Sequence, residues 1–349
     1  MLGRSALLAA TNLSGPSGFG ERYADPSTSP GTSAYRVSFS PSSNALALGL
    51  DGIPYICAYQ WSQSNGFGTR YANPSTGLGS RGWGVAFSPS GDAIVATSYS
   101  NPVIHAYQWS PALGFGTKYQ NPATLPANNG TGVAFSPDGA DIAVCTYEGA
   151  TGNTNLSTYP WTYSNGFGAR GMASSVTANA YDVKFSPSGD AIAVAHDAPP
   201  YLSVFPWSKG SGFGARFANP STTISGASYN VAFSPDGLAI AAGRVSSSTH
   251  AIYRWSSTGF GTRYANPSVG GLSSWNCHAW NPSSSVIAIG TSNGVHAYAW
   301  SSSTGFGTKF ATPSSQVSQS ANDISFSPNG NALAIGLNAA PFIAAYKWN

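Results

Sequence analysis

A single unit recurs along this chain. Its best-formed copy runs from Gly82 to Trp109, GWGVAFSPSGDAIVATSYSNPVIHAYQW. Aligned on the Phe-Ser-Pro core, the copies place Phe39, Phe87, Phe135, Phe185, Phe233, Trp280 and Phe326 at intervals of 46 to 50 residues. The closing tryptophans are Trp61, Trp109, Trp161, Trp207, Trp255, Trp300 and Trp348, again seven. A Gly-Phe-Gly tripeptide follows each of the first six tryptophans (Phe67, Phe115, Phe167, Phe213, Phe260 and Phe306), with an additional copy at Phe19. A period of this length is the mark of a propeller or a solenoid, in which each repeat is one supersecondary unit that buries its faces only against its neighbours.

One copy decides between the two. Val85-Ala86-Phe87 is a β-prone run, and Ser88-Pro89-Ser90-Gly91 is turn chemistry, proline presetting φ and glycine accepting the left-handed position that follows. The hairpin returns through Ala93-Ile94-Val95-Ala96. Gly91, Gly139, Gly189, Gly237 and Gly330 keep the glycine, whereas Ser43 and Ser284 replace it, so those two turns are expected to be slightly strained or of another type. A third strand, 102–109, is apolar on both alternating faces and is therefore covered on both sides. A fourth, 114–119, ends at Asn121-Pro122, since proline cannot donate to a ladder. Four antiparallel strands per period, sandwiched between neighbours, make a propeller blade.

The pattern predicts an all-β, seven-bladed β-propeller of four-stranded antiparallel blades, with blades near 35–74, 83–122, 131–173, 181–220, 229–267, 276–313 and 322–348 plus 19–26. The chain opens on a fourth strand and ends on a third, so the N-terminal strand is expected to complete the last blade and close the ring. Residues 1–18 then form an N-terminal segment outside the propeller domain of 19–349. Leu13 stands where other copies carry tryptophan, so 7–13 reads as a decayed third strand. The apolar Ser5 to Ala10, with only Arg4 as basic flank, makes no convincing signal peptide.

The sequence Phe233-Ser234-Pro235-Asp236-Gly237-Leu238-Ala239-Ile240, followed by a strand ending in tryptophan, resembles the WD-repeat and related propeller families from about residue 19 to the end. Trp-Asp is replaced by Trp-Ser (Trp61-Ser62, Trp109-Ser110, Trp207-Ser208) and Gly-His is absent, so that family's His and Asp network is not carried over. The Gly-Phe-Gly and Asn-Pro-Ser signature and the closeness of the copies resemble propellers of bacterial and bacteriophage open reading frames.

Charged residues make up only 8% of the chain and the net charge is +3, which argues against a nucleic-acid groove or an anionic membrane surface. No apolar run reaches a membrane span. Cys57, Cys145 and Cys277 lack metal-ligand spacing and read as small buried hydrophobes. Arg22, Arg70, Lys118, Arg170, Arg216, Arg263 and Lys309 all stand three residues after the Gly-Phe-Gly phenylalanine. A position kept in every blade serves the blade, so these cations are expected to guard edge strands and lay their stems over tryptophan faces. Asp92, Asp138, Asp190 and Asp236 belong to the repeated turns. His105 and His296 share one strand position and read as core histidines. Gly-Phe-Gly precedes a strand instead of opening a helix, so it is no phosphate loop.

No catalytic, metal or cofactor constellation emerges, and the chain is expected not to be an enzyme: its ionisable residues follow the repeat, whereas a catalytic set should break it. The positions that do break the repeat lie four residues before the Phe-Ser-Pro phenylalanine: Tyr35, Trp83, Thr131, Tyr181, Tyr229, Asn276 and Asn322. WD-repeat topology would put them at the channel mouth, on the face of the loops between second and third strands, with Tyr99, Glu148, His196, Asp197 and Arg244. With Arg36, Asp182, Asn230 and Trp275 beside them they form a face able to stack on sugar rings or receive a partner's apolar anchor; the competing reading wedges each aromatic between blades. The composition points to a virion or extracellular component, a structural or attachment module of a bacteriophage particle whose partners are other virion proteins or a receptor. A secreted carbohydrate-binding lectin-like propeller and a cytoplasmic protein-interaction scaffold are the alternatives.

Overall fold

In the hairpin at Ser88 the Gly91 N–H donates to the Ser88 carbonyl at 2.9 Å, and Gly91 sits at φ 73°. The Ser88 hydroxyl, 2% exposed, accepts the Ala93 N–H at 3.0 Å and so ties the turn to the returning strand. The same bond recurs from Ala45 to Ser40, Asp141 to Ser136, Ala191 to Ser186, Ala239 to Ser234 and Ala332 to Ser327. In the sixth copy, where asparagine replaces serine, Asn281 Oδ1 accepts from Val286 at 2.9 Å. Ser43 and Ser284 keep the left-handed conformation at φ 53° and 55°, the strain expected of a non-glycine residue there. Ser234→Ala should cost about 1–3 kcal/mol by urea denaturation, because the Ala239 N–H is left without a buried acceptor; unchanged stability would show that the strand ladder alone sets the hairpin.

A computed structural model describes residues 17–126, 129–147, 155–172, 176, 178–243, 250–267 and 275–349. They form seven antiparallel sheets and no helix. Blade two comprises Gly82–Phe87, Ala93–Ser98, Ile104–Ser110 and Gly114–Lys118, paired in that order from the channel outwards. The other blades repeat it, starting from inner strands Ala34–Phe39, Asn129–Phe135, Ala180–Phe185, Asn230–Phe233, Trp275–Trp280 and Ala321–Phe326. The second strand is buried along its whole length in blade after blade, as at Ala45–Leu50, because both faces meet neighbouring sheets.

Closure is as expected. Phe19–Arg22 pairs antiparallel with Ile343–Trp348, Phe19 opposite Trp348 and Arg22 opposite Tyr346. The possible strand at 7–13 lies outside the described residues. Blades three and four have outer strands of only two residues, Gly166–Phe167 and Gly212–Phe213. Their third strands carry Pro160 and Pro206, which have no N–H to offer an outer neighbour.

Blade-to-blade locking uses a residue whose role the sequence reading passed over. The aromatic ring after six of the seven rim cations, all but Arg170, packs edge-on against the next blade's tryptophan, as with Tyr23 on Trp61 at 5.0 Å, Tyr71 on Trp109 at 5.0 Å, Tyr119 on Trp161 at 4.8 Å and Tyr264 on Trp300 at 4.9 Å. Tyr23 and Tyr71 also donate their hydroxyls at 2.7 Å to the carbonyls of Gln63 and Pro111. The first glycine of Gly-Phe-Gly makes room for that ring: Gly66 has φ 76°, and a Cβ on it would stand 2.6 Å from Tyr23.

The basic rim is structural, but not through tryptophan. Arg70, Lys118 and Arg216 donate to Asn73, Asn121 and Asn219 at 3.0, 2.7 and 2.7 Å, and Arg22 pairs with Asp25. Each of these four cations thus ties down the asparagine or aspartate before the linker proline, while Arg170 and Arg263 donate instead to the Leu125 and His250 carbonyls. The tryptophan faces are already occupied by the Gly-Phe-Gly phenylalanine and the neighbouring blade's aromatic, which corrects the expected stacking of cation stems. Asp92, Asp138, Asp190 and Asp236 accept from the hairpin serines. The three cysteines are free and buried. Among the described residues no helix is long and apolar enough to cross a membrane.

Candidate functional site

Ala34 pairs with Leu50 and Ala180 with His196, so each inner strand begins beside the loop joining its second and third strands. The repeat-breaking position therefore sits at that end of the channel. Tyr35, Trp83, Tyr181, Tyr229, Asn276 and Asn322 enclose a cavity of about 250 Å³ with Ser320 and Arg36. Thr131, also predicted for the ring, turns away: its hydroxyl is buried and donates to Ala180 O at 2.7 Å.

The aromatics form two groups. Tyr35 and Trp83 stack across the first blade boundary at 4.8 Å and 8°, and Trp83 continues to Tyr99 at 6.5 Å. Arg81 lies against all three, its guanidinium carbon 5.6, 6.0 and 5.5 Å from the rings of Tyr35, Trp83 and Tyr99, and is neutralised by Asp51. The second group is Tyr147, Tyr181 and Tyr229, with 5.6 Å and 4.3 Å between successive rings. Tyr181 is 8% exposed and wedged against its neighbours, whereas Tyr35, Trp83 and Tyr229 stay half-buried at the cavity. Sequence reasoning missed Arg81 and Tyr147. Arg81 lies in a linker without a repeat position, and Tyr147 is set off only by ending a second strand with an aromatic.

Three predicted face residues lie deeper. Arg36 reaches from blade one across the channel, where its Nη2 donates to the carbonyls of Tyr181 at 3.3 Å and Tyr229 at 3.2 Å, and its Nη1 to Tyr35 O at 3.3 Å. Asp182, 1% exposed, stands 3.9 Å from Arg36 and 3.1 Å from Lys184, and accepts from Asn230 and the Val231 N–H. Asn230 is 4% exposed, so neither it nor Asp182 belongs to the face; their short polar side chains are drawn into the channel by Arg36 and by each other. His196 is likewise a buried core histidine bonded to Ser203, while Asp197 accepts from Asn179. The side chain of Trp275, and Glu148 and Arg244, lie outside the described residues.

Beneath Arg36 the channel widens to about 510 Å³, lined among others by Lys184, Asp182 and Asp323. Asp323 accepts the Val37 N–H at 2.9 Å. Burial pushes its carboxyl up to about 6, only partly offset by Arg36. Burial also raises Asp182, but Lys184, Arg36 and the Val231 N–H outweigh it and hold that carboxyl below its ordinary value. Arg36, Asp182, Lys184 and Asp323 each break the repeat and meet in one place, so the expectation that ionisable residues follow the repeat holds for the rim and turns and fails in the channel. His105 is a core histidine, 2% exposed and pushed by burial to about 4, whereas His296, expected to match it, is only half-buried, with its pKa lowered by burial. No group of three metal-ligating side chains exists among the described residues.

No family model matches the sequence, and no curated protein matches it. Among solved structures sharing the architecture is Kuenenia stuttgartiensis hydrazine synthase, with a TM-score of 0.68 at 13% identity over 92% of this chain and 97% of that one. An identity that low carries the fold and not an activity. The likeness to WD-repeat proteins is therefore one of architecture: the chain is a seven-bladed, all-β propeller with four-stranded antiparallel blades.

Proposed function

We propose that this propeller is a non-enzymatic binding module, a structural or attachment component of a virion that meets a receptor or another particle protein through the channel mouth. The observation that carries the reading is the mouth cavity, where half-buried Tyr35, Trp83 and Tyr229 depart from an otherwise regular repeat and meet from three blades at one opening. The channel charges support a structural part for themselves, because Arg36 is spent on three carbonyls and Asp182 on two cations and the N–H groups of Val183, Asn230 and Val231. The low charge content and the ring-to-ring locking between blades suit a chain that works outside the cell or on a particle.

The test is Trp83→Ala with Tyr229→Ala in one chain, assayed for incorporation into, or attachment by, the native particle. Attachment should fall at least tenfold with the melting temperature moved by less than about 5 °C, since both rings are only half-buried. Retained attachment with a large fall in melting temperature would make the aromatics blade wedges. Absence of the chain from purified particles by mass spectrometry would remove the virion assignment.

A further inference from the structure

We propose that the mouth cavity takes one neutral pyranose ring, the terminal sugar of a glycan. This rests on the reading of the mouth as the binding face and deepens it. At about 250 Å³ the cavity is below the range usual for drug-sized ligands and suits a single small ring. Its walls are of two kinds. Blades one, two, four and five supply aromatic surface, the half-buried Trp83 and Tyr35 pair on one side and half-buried Tyr229 against Tyr181 on the other, and apolar surface of this kind packs against the C–H side of a sugar.

Blades six and seven supply amides. Asn276 Nδ2 donates to Ser320 Oγ at 2.7 Å and Ala321 O at 2.9 Å, and Asn322 Nδ2 makes the homologous pair to Ser33 Oγ at 3.1 Å and Ala34 O at 3.0 Å. With their NH₂ groups committed to the next blade, both amides have only carbonyl oxygen left to offer. Asn276 Oδ1 is buried and has no partner. That acceptor has no surface of its own, and a small turn of the Asn276 side chain would bring it to a hydroxyl donor in the cavity, which a sugar brings and an apolar peptide side chain does not.

Charge narrows the class further. The two cations at the mouth are neutralised, Arg81 by Asp51 and Arg36 by Asp182 together with three carbonyls, so neither a sialic acid nor a phosphate would find an unpaired cation there. Asp51 is in turn engaged by Arg81 and the Tyr35 hydroxyl, which leaves no free carboxylate for an amine. A neutral, hydroxyl-bearing ring satisfies every group the cavity presents.

The full chain would be titrated with glucose, galactose, mannose and N-acetylglucosamine, following tryptophan fluorescence and heat. At least one should bind saturably with Kd near or below about 10 mM, about 3 kcal/mol of binding free energy, as befits a single small ring. Trp83→Ala should abolish binding and Asn276→Ala should weaken it at least fivefold, each with an unchanged far-UV spectrum. Trp83→Phe, which keeps an aromatic face, should bind within about fivefold of the parent and covers the case in which the alanine variant does not fold. Two results overturn the proposal: no response to any of the four sugars at 100 mM, or binding that survives Trp83→Ala in a folded chain. If sugars fail while particle attachment still depends on Trp83 and Tyr229, the mouth receives a protein's apolar anchor and only this inference falls. If attachment is also independent of them, the binding-face reading falls with it.

Discussion

A chain lacking residues 1–27 is expected to lose cooperative unfolding and to aggregate. The deletion removes the Phe19–Arg22 strand and with it the ladder to Ile343–Trp348. It strips the aromatic cover at 5.7 Å from Tyr346 and 5.0 Å from Trp348, both large rings that are buried in the closed ring. It also removes Tyr23, whose ring packs on Trp61 and whose hydroxyl reaches Gln63 O, so blade one loses its lock to the blade before it. Loss of the buried Tyr23 side chain alone costs about 3–5 kcal/mol, with half-buried Phe19 adding to it, a large share of the 5–15 kcal/mol that stabilises ordinary domains. The exposed edge at Ile343–Trp348 is apolar and unpaired, which makes it a template for association. Calorimetry should show a broadened transition lowered by at least about 10 °C, and size-exclusion chromatography should show multimers. Tyr23→Phe, which keeps the ring and loses only the hydrogen bond, should cost about 1 kcal/mol. A truncated chain that stays monomeric and melts sharply near the parent temperature would mean that the ring does not depend on this strand.

How much of this was legible in the sequence follows from where the information resides. The hairpin, the third-strand pattern and the permuted closure are written into local chemistry that repeats: Ser88 through Gly91 dictates its turn, and Phe19 without a preceding tryptophan dictates the closing strand. The mouth position was legible because it departs from a known register. The depth of its neighbours was not. Arg36 and Asp182 stand one residue further along the same strand, and whether a side chain there points to solvent or across the channel depends on what the opposite blade offers. Carbonyls of Tyr181 and Tyr229 lie nearly 150 and 200 residues away in the chain, an arrangement only the closed ring creates. The cation rim failed for the same reason in miniature: the tryptophan face was treated as vacant, when the neighbouring blade's tyrosine already covers it.

The channel charges give the sharpest energetic expectation. Arg36→Met should destabilise the ring by about 3–5 kcal/mol at pH 7.5, since it leaves Asp182 and Asp323 less compensated in the channel and three carbonyls without their donor. The pH dependence then identifies Asp323. Its folded pKa is raised by burial to about 6 from an ordinary value near 3.8, so the folded state holds the proton more tightly than the unfolded chain. That contribution is fully present below about pH 4 and is lost as pH rises through about 6, on the order of 2–3 kcal/mol.

Asp182 acts in the other direction, its lowered pKa contributing stability that is lost as pH falls below about 4. The buried histidines His105, His196 and His278, each pushed by burial to about 4, add stability that is lost as pH falls from about 6.5. The parent profile therefore mixes opposing slopes, and the difference between parent and Asp323→Asn isolates one of them. Asparagine keeps an oxygen for the Val37 N–H and cannot ionise. Urea denaturation at pH 4, 5, 6 and 7.5 should find the two chains close at pH 4 and the variant gaining with each step, to a relative advantage on the order of 2–3 kcal/mol at pH 7.5. In the Arg36→Met background the gain should be larger, because Arg36 is the main group that lowers the Asp323 pKa. A parent-to-variant difference that stays flat across the four pH values would show that Asp323 ionises as an ordinary carboxylate and that the strut across the channel is held by its carbonyls alone.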